Sequence, residues 1–372
     1  MDKRKLIYIV GGARPNFMKI APIVRALETS KVLDFKIIHT GQHYDKDMNE
    51  VFFDELNIPE PDYYLSAGGG SHSEQTCKIM LSFEKICENK RPDAVLVVGD
   101  VNSTLACSIV SKKMNIKLIH VEAGLRSYDR TMPEEINRIV TDSISDIFFV
   151  TETSGVDNLL SEGKPENTLH YVGHVMIDNL LFQLEQLNNN KKVSKDILNL
   201  KAKLTSKSNN YGILTLHRPG NVDNKQILNE IIDAINEISK KLPIIFSVHP
   251  RTKKQLDCFN IKLSNSVTLI KPQSYMNFLF LWKDAELVLT DSGGLQEETT
   301  ALGVPCITIR ENTERPITIK QGTNVLAGTS KKSIVYEADK VISGHSKSNK
   351  RPDMWDGKAA HRIVKILQDK IS

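Results

Sequence analysis

Short apolar runs rich in β-branched residues alternate along this chain with longer segments of helical period, and this alternation restricts the fold more than any other feature. In the first half the runs fall at residues 6–10, 35–39, 94–98, 117–121 and 147–150, with helical periodicity over 17–28 and 103–112. A strand that reads as an unbroken apolar run is buried on both faces. Such strands belong to parallel sheets whose crossover connections carry helices. Residues 188–210 break the pattern, with three consecutive asparagines and six lysines around one weakly amphipathic stretch. The alternation restarts at 212–216 and continues through 244–248, 267–270, 287–290 and 306–309. The fold class is therefore α/β, with two Rossmann-like doubly wound domains facing a cleft. Their expected extents are residues 1–172 and 173–355.

The length of 372 residues agrees with two domains, each long enough to bury its own core. A net charge of +4, with the basic residues scattered, argues against nucleic acid as the main partner and suits a small anionic ligand. The five cysteines, Cys77, Cys87, Cys107, Cys258 and Cys306, are odd in number and widely spaced, so neither a disulfide framework nor a metal site is expected. The apolar run after Lys3, Arg4 and Lys5 stops at Gly11-Gly12, too short for a signal peptide, and no apolar stretch approaches the ~18 residues of a membrane span. The expected compartment is the cytoplasm.

The sharpest local signal is Thr290-Asp291-Ser292-Gly293-Gly294-Leu295-Gln296-Glu297-Glu298, which follows an apolar strand and opens a helix. Gly293 and Gly294 let backbone N–H groups approach an anion, Ser292 suits the cap position, and the helix dipole favours phosphate, so a diphosphate fits here. Glu298, about one turn further in, suits a ribose diol. A capped helix whose glycines merely tighten the turn is the plain alternative. The segment is not a Walker loop, since no Gly-Lys-Ser/Thr follows. Gly11-Gly12-Ala13-Arg14-Pro15-Asn16-Phe17-Met18-Lys19 repeats the strand-to-helix device, with Arg14 in the turn and Lys19 on the first helical turn. Two cations at a helix amino terminus suit phosphate or a developing anion. The glycine spacing does not match G-x-G-x-x-G, against an ordinary dinucleotide fold.

Three carboxylates stand in unusual settings: Asp100 at a strand end, Glu122 directly after Ile119-His120-Val121, and Glu134 in Met132-Pro133-Glu134-Glu135. A carboxylate just past a buried strand is partly desolvated, which suits a general acid or base, and three near one cleft would be sorted into roles by mutual repulsion. Glu134 and Glu135 also suit the first turn of a helix, and for one of the pair that capping role is the expected plain reading. His217-Arg218 and His249-Pro250-Arg251 each place an imidazole and a guanidinium at a strand end, positions suited to phosphate, and Arg315 adds a loop arginine. Gly68-Gly69-Gly70-Ser71-His72 reads as the start of a helix, either a lid or an ordinary loop.

Taken together these segments resemble the UDP-N-acetylglucosamine 2-epimerase family of the non-hydrolysing type. The residues that carry the resemblance are Gly12-Ala13-Arg14-Pro15 with Lys19, Thr40-Gly41-Gln42-His43, Gly99-Asp100-Val101-Asn102-Ser103-Thr104, His120-Val121-Glu122-Ala123-Gly124-Leu125-Arg126, Pro133-Glu134-Glu135-Ile136-Asn137-Arg138, Gly173-His174, His217-Arg218, Asp291 through Glu298, and Thr313-Glu314-Arg315-Pro316. The resemblance implies a fold like the two-domain B-type glycosyltransferases, a homodimer, and a last helix, within residues 356–372, crossing back to the first domain. It implies a reaction in which a base removes the C2 proton of a UDP-sugar, UDP leaves to give a 2-acetamidoglucal, and both are re-added with C2 inverted, supplying cell-surface polysaccharide synthesis. Asp100, Glu122, Glu134 and His217 would be catalytic. Arg14, Lys19, His249, Phe278, Ser292, Gly293, Gly294, Glu298 and Arg315 would bind the UDP-sugar. No cofactor or metal is implied, because the bound UDP is itself the leaving group.

Two departures stand out. Many bacterial members carry Gln-His-Arg-Glu where this chain has Gln42-His43-Tyr44-Asp45, and His-Arg-Arg-Glu where it has His217-Arg218-Pro219-Gly220. The first segment belongs to the site where a second substrate molecule activates those enzymes, so the departure argues against such activation here. The same loops resemble relatives that act on modified UDP-sugars, including diacetamido uronic acids and 6-deoxy sugars. A hydrolysing epimerase, a glycosyltransferase on the same fold and a non-catalytic nucleotide-sugar-binding regulator are the other readings.

Overall fold

In the computed structural model, which describes residues 4–41, 50–188, 193–206, 210–347 and 350–371, two sheets form and every strand pairing in them is parallel. The first sheet comprises β1 (Lys5–Gly11), β2 (Leu33–His39), β3 (Tyr63–Tyr64), β4 (Ala94–Val98), β5 (Lys117–Val121), β6 (Ile147–Val150) and β7 (Leu169–Tyr171), in the order β3-β2-β1-β4-β5-β6-β7. The second comprises β8 (Gly212–Thr215), β9 (Ile244–Ser247), β10 (Val267–Ile270), β11 (Leu287–Thr290), β12 (Cys306–Thr308) and β13 (Asn324–Leu326), in the order β10-β9-β8-β11-β12-β13. Winding reverses once in each sheet, between β1 and β4 and between β8 and β11. That reversal opens a crevice at the carboxyl ends of the strands, the place where open α/β sheets bind ligands.

The strands expected from apolar runs are all present, and β4, β6 and β11 are buried along their whole length, as helices on both faces require. On one face of the first sheet Tyr8, Val10, Val95 and Val97 pack with Phe83 and Cys107. In the second sheet Leu214, Phe246 and Leu289 pack against the helix Lys225–Ile238. That helix forms because Leu228, Ile231, Ile232, Ile235 and Ile238 fall on one stripe and are fully buried, each contributing roughly 2 kcal/mol. Asn224 caps it by accepting from the N–H groups of Gln226 and Ile227.

The chain divides into two compact units, Met1–Asn179 with Asp353–Ser372, and Leu180–Pro352. The first crossing therefore falls inside the helix Val175–Asn188, where the sequence places a boundary before Gly173. The physical reason is that 173–179 pack within the first unit. His174, Val175, Ile177 and Asn179 are buried, and Asp178 accepts from the N–H groups of Ala359 (3.2 Å) and Ala360 (2.7 Å) at the start of the last helix. That helix, Ala359–Ile371, lays Ile363, Val364 and Leu367 inward and packs against the helix Arg14–Glu28. The glycine segment before His72 leads into the helix His72–Asn89, where Ser71 and Glu74 exchange hydrogen bonds in a capping box. Among the described residues no helix is long and apolar enough to cross a membrane.

Candidate functional site

In the first unit the crevice is built from the loops after β1, β4 and β5. Asn16, in the first turn of Arg14–Glu28, accepts from the N–H groups of Gly12 (3.3 Å) and Ala13 (3.0 Å) and donates to the Val98 carbonyl (3.1 Å), tying the end of β1 to the end of β4. A Cβ on Gly12 would collide with Ser103 at the start of the helix Asn102–Lys113. Arg14 opens the first helix, and Lys19 on its inner face is buried in an ion pair with Oε2 of Glu122.

Glu122 itself is buried and has φ +68°, in the left-handed region that a non-glycine residue adopts only at a cost of roughly 1–3 kcal/mol. Strain of this kind persists where neighbours fix the side chain. Gly99, with φ +69°, is one of them: a Cβ there would stand 3.3 Å from Lys19 Nζ and 3.4 Å from Glu122 Oε2. On the other side His120 bonds through Nε2 to the Gly99 carbonyl oxygen (2.9 Å) and through Nδ1 to Asp142 (2.6 Å). Burial opposes the charge on Asp142, yet His120 and Arg126 hold its carboxyl below the usual range.

Asp100 keeps its carboxylate partly exposed, with Oδ2 on Nη1 of Arg138 at 2.6 Å and its carbonyl accepting from Asn137. Glu134 and Glu135 separate cleanly on the helix Pro133–Ile144. Glu134 is exposed in the first turn, whereas Glu135 is buried and accepts from the N–H groups of Ser127 and Tyr128 and from Arg138. Glu135 is thus the one that holds the loop. The idea that mutual repulsion sorts the carboxylates meets a different arrangement, because Asp100 and Glu122 each face a cation at bonding distance.

In the second unit the crevice lies between the loops after β8 and β11. Asp291, fully buried, gathers the N–H groups of His217 (3.0 Å) and Arg218 (2.9 Å), the Asn221 amide (3.2 Å) and, 2.9 Å away, Nδ1 of His217. Burial works against its charge, but these donors keep its carboxyl below the ordinary range. The His217 ring is exposed, 6.2 Å from that of His249. His249 occupies the cap position of the helix Pro250–Cys258, accepting from the Arg251 N–H, and desolvation, then His217 and Arg251, push its pKa down.

Ser292 occupies the cap position of Gly293–Leu302, but its hydroxyl accepts none of the helix N–H groups, which corrects the expectation that it caps with its side chain. Over that helix end lies Arg315: a Cβ on Gly293 would stand 2.6 Å from its Nη1. Arg315 is held by Glu297, 2.6 Å from Nε, and by Glu314, which also binds Arg310 (2.8 Å) and Arg218 (3.5 Å). Burial disfavours the charge on Glu314, yet Arg315 and Arg310 hold it far below the usual carboxylate range. Glu298 is buried and accepts from the Tyr275 hydroxyl at 2.7 Å, and Phe278 is partly buried on the same helix as that tyrosine, Tyr275–Trp282.

Two arginines suited by sequence to phosphate are engaged elsewhere. Arg218 donates to the Asp291 carbonyl, and Arg251 pairs with Asp223. Pro219 begins a single helical turn, Pro219–Val222, and Gly220 beside it has open space around it. The segment Gln42-His43-Tyr44-Asp45 lies outside the described residues. Asp291, Arg138, His174 and Tyr275 join the site without having been singled out as site residues. Asp291, Arg138 and His174 stood within the quoted motifs, whereas nothing in the sequence marks Tyr275.

Comparison with known proteins gives a consistent result. The model of one family, UDP-N-acetylglucosamine 2-epimerase, matches residues 25–368. A UDP-N-acetylglucosamine 2-epimerase of Methanocaldococcus jannaschii is 45% identical over 96% of this chain and 98% of its own. The crystal structure of the M. jannaschii UDP-GlcNAc 2-epimerase in complex with UDP-GlcNAc and UDP superposes with a TM-score of 0.86 at 44% identity, covering 98% of this chain and 99% of that one. A UDP-2,3-diacetamido-2,3-dideoxy-D-glucuronate 2-epimerase of Pseudomonas aeruginosa is 36% identical over 98% and 99% of the two chains.

Proposed function

The chain belongs to the UDP-N-acetylglucosamine 2-epimerase family, and on that premise we propose that it interconverts UDP-GlcNAc and UDP-ManNAc by the non-hydrolysing route. The observation that carries this reading is the match of almost the whole chain to an epimerase whose structure holds UDP-GlcNAc and UDP. The chemistry at the two crevices supports it. The nucleotide belongs at the second unit, where the helix end at Ser292, Gly293 and Gly294, the Arg315 guanidinium and the His217 and His249 imidazoles meet a diphosphate, with Glu298 and Phe278 for the nucleoside. Proton transfer belongs at the first unit, to Asp100, Glu122 and Glu134, with Lys19 on Glu122, Arg138 on Asp100 and Arg14 at the start of the helix that carries Lys19.

In the forward direction a carboxylate takes the C2 proton, the C1–O bond to UDP breaks, and a C1=C2 double bond forms. In the return a proton reaches C2 from the opposite face and the UDP oxygen re-adds at C1. The C2 proton is only weakly acidic, so the departing diphosphate must be stabilised as its charge develops, which is the task of a preorganised helix end and cations.

The P. aeruginosa relative favours one second reading, a 2-epimerase of a diacetamido uronic acid. Incubation with UDP-GlcNAc in D₂O should yield the UDP-linked manno epimer with deuterium at C2. Epimer without deuterium overturns proton abstraction; free sugar with UDP selects a hydrolysing enzyme; turnover confined to a diacetamido uronate selects the second reading. A cytoplasmic homodimer feeding polysaccharide synthesis belongs to the same proposal. A groove of about 660 Å³ beside exposed Leu81 and Ile136 offers an apolar face for self-association, which sedimentation tests.

A further inference from the structure

Glu122 shows Lys19 only one of its two oxygens. The other, Oε1, is buried and meets no hydrogen-bond partner among the described residues, and the group facing it is Nε2 of His174, 3.9 Å away. Both side chains are buried. The tautomer of His174 follows from its other nitrogen. Nδ1 accepts from the Met176 N–H at 3.2 Å, in the first turn of Val175–Asn188, so the ring proton of the neutral imidazole resides on Nε2 and is directed toward Glu122.

The ring is gripped from a second side by the segment that returns to this unit. Trp355 stands edge-on to His174, with centroids 5.1 Å apart and planes at 88°, and its Nε1 donates to the Thr151 carbonyl at 3.2 Å. Gly173, with φ +86°, lies so close to Met354 that a Cβ would collide with its carbonyl oxygen. The imidazole thus has a fixed tautomer, a fixed plane and a buried carboxylate oxygen in front of its N–H.

We propose that His174 is a positioning residue for the reaction: its Nε2–H holds the second oxygen of Glu122, so that Lys19 and His174 together fix the carboxylate between them for proton transfer at C2. This rests on the epimerase reading above. Asp178, one turn along the same helix, is bonded to the Ala359 and Ala360 N–H groups, whereas Glu122 Oε1 is the carboxylate oxygen 3.9 Å from Nε2.

Two substitutions separate this role from simple helix capping. His174→Asn keeps a short acceptor for the Met176 N–H, and asparagine is a good cap residue, but its amide does not reach the Nε2 position. His174→Gln places an amide N–H near the Nε2 position and is the weaker cap. The expected result is that His174→Asn lowers kcat, and the rate of deuterium entry at C2 in D₂O, by about 10-fold or more with KM and UDP affinity within about 2-fold, while His174→Gln recovers most of the rate. The reverse order, asparagine active and glutamine impaired, or equal activity of both with the unaltered enzyme, overturns the proposal and leaves a capping histidine. If the unaltered enzyme itself places no deuterium at C2, the epimerase reading falls and this inference with it.

Discussion

The two switch points share one topology and use their charges in opposite ways. Between β1 and β4, cations hold carboxylates: Lys19 holds Glu122 and Arg138 holds Asp100. Between β8 and β11, carboxylates hold cations and backbone: Asp291 gathers the His217 and Arg218 amides, and Glu314 and Glu297 hold Arg315 over the helix end. The strand order therefore decides where a site forms, and the side chains decide whether it presents acids and bases or a cradle for an anion.

The largest expected effect tests that division directly. Asp100→Asn removes the charge that Arg138 meets while preserving shape, and Arg138 retains Glu135. Turnover should fall by about 10²–10⁴-fold, the range of a lost general acid or base, with UDP affinity nearly unchanged. Calorimetry with UDP and a coupled epimerase assay read the two quantities separately. Retained turnover would remove Asp100 from the catalytic set, and lost UDP binding would show that the first unit also holds the nucleotide.

Much of this comparison was legible in the sequence, because a parallel strand buried on both faces writes itself as an apolar run and a ligand-binding turn writes itself at the end of that run. The short strands β3, β7 and β13 were not, since two or three residues, most of them not buried, make no apolar run. Gly293 and Lys19 were legible as residue types at a strand-to-helix turn. Their partners were not: Arg315 lies over Gly293 and Glu122 reaches Lys19 only through tertiary packing. The left-handed backbone of Glu122 carries no local signal either, because neither proline nor glycine occupies that position. Ser292 shows the converse, a good cap residue by type whose side chain leaves the helix end alone.

A buried carboxylate bonded to backbone N–H groups sharpens the comparison further. Asp178 is buried and accepts from the Ala359 and Ala360 N–H groups, but burial outweighs these bonds and pushes its pKa up to about 6. The folded protein keeps this proton up to that pH while the unfolded chain releases it near pH 4 (an approximate reference value), so the folded state binds more protons in between. Its contribution to stability is complete below about pH 4 and is lost as pH rises through about 6, by about 3 kcal/mol at most. Denaturant unfolding of Asp178→Asn beside the unaltered protein should show this as a difference that shrinks from pH 4 to 6. A difference independent of pH would mean that Asp178 ionises in the fold as it does in the unfolded chain.

The smallest effect probes the proposed anion cradle. Alanine at Gly293 puts a Cβ 2.6 Å from Arg315 Nη1, at the flexible end of a side chain, so the guanidinium shifts and the fold survives. The shift draws Arg315 away from the helix end and bulk enters where a diphosphate would lie. UDP affinity should fall by about 10-fold, about 1.4 kcal/mol, with little change in melting temperature. Lysine at Arg315 should lower affinity similarly while relieving the clash, because an ammonium loses the planar fork but not the charge. If the double variant Gly293→Ala, Arg315→Lys binds UDP no worse than either single change, the glycine matters through the arginine. If the losses add, the glycine matters because its own N–H meets the phosphate, and the cradle is built by the backbone first.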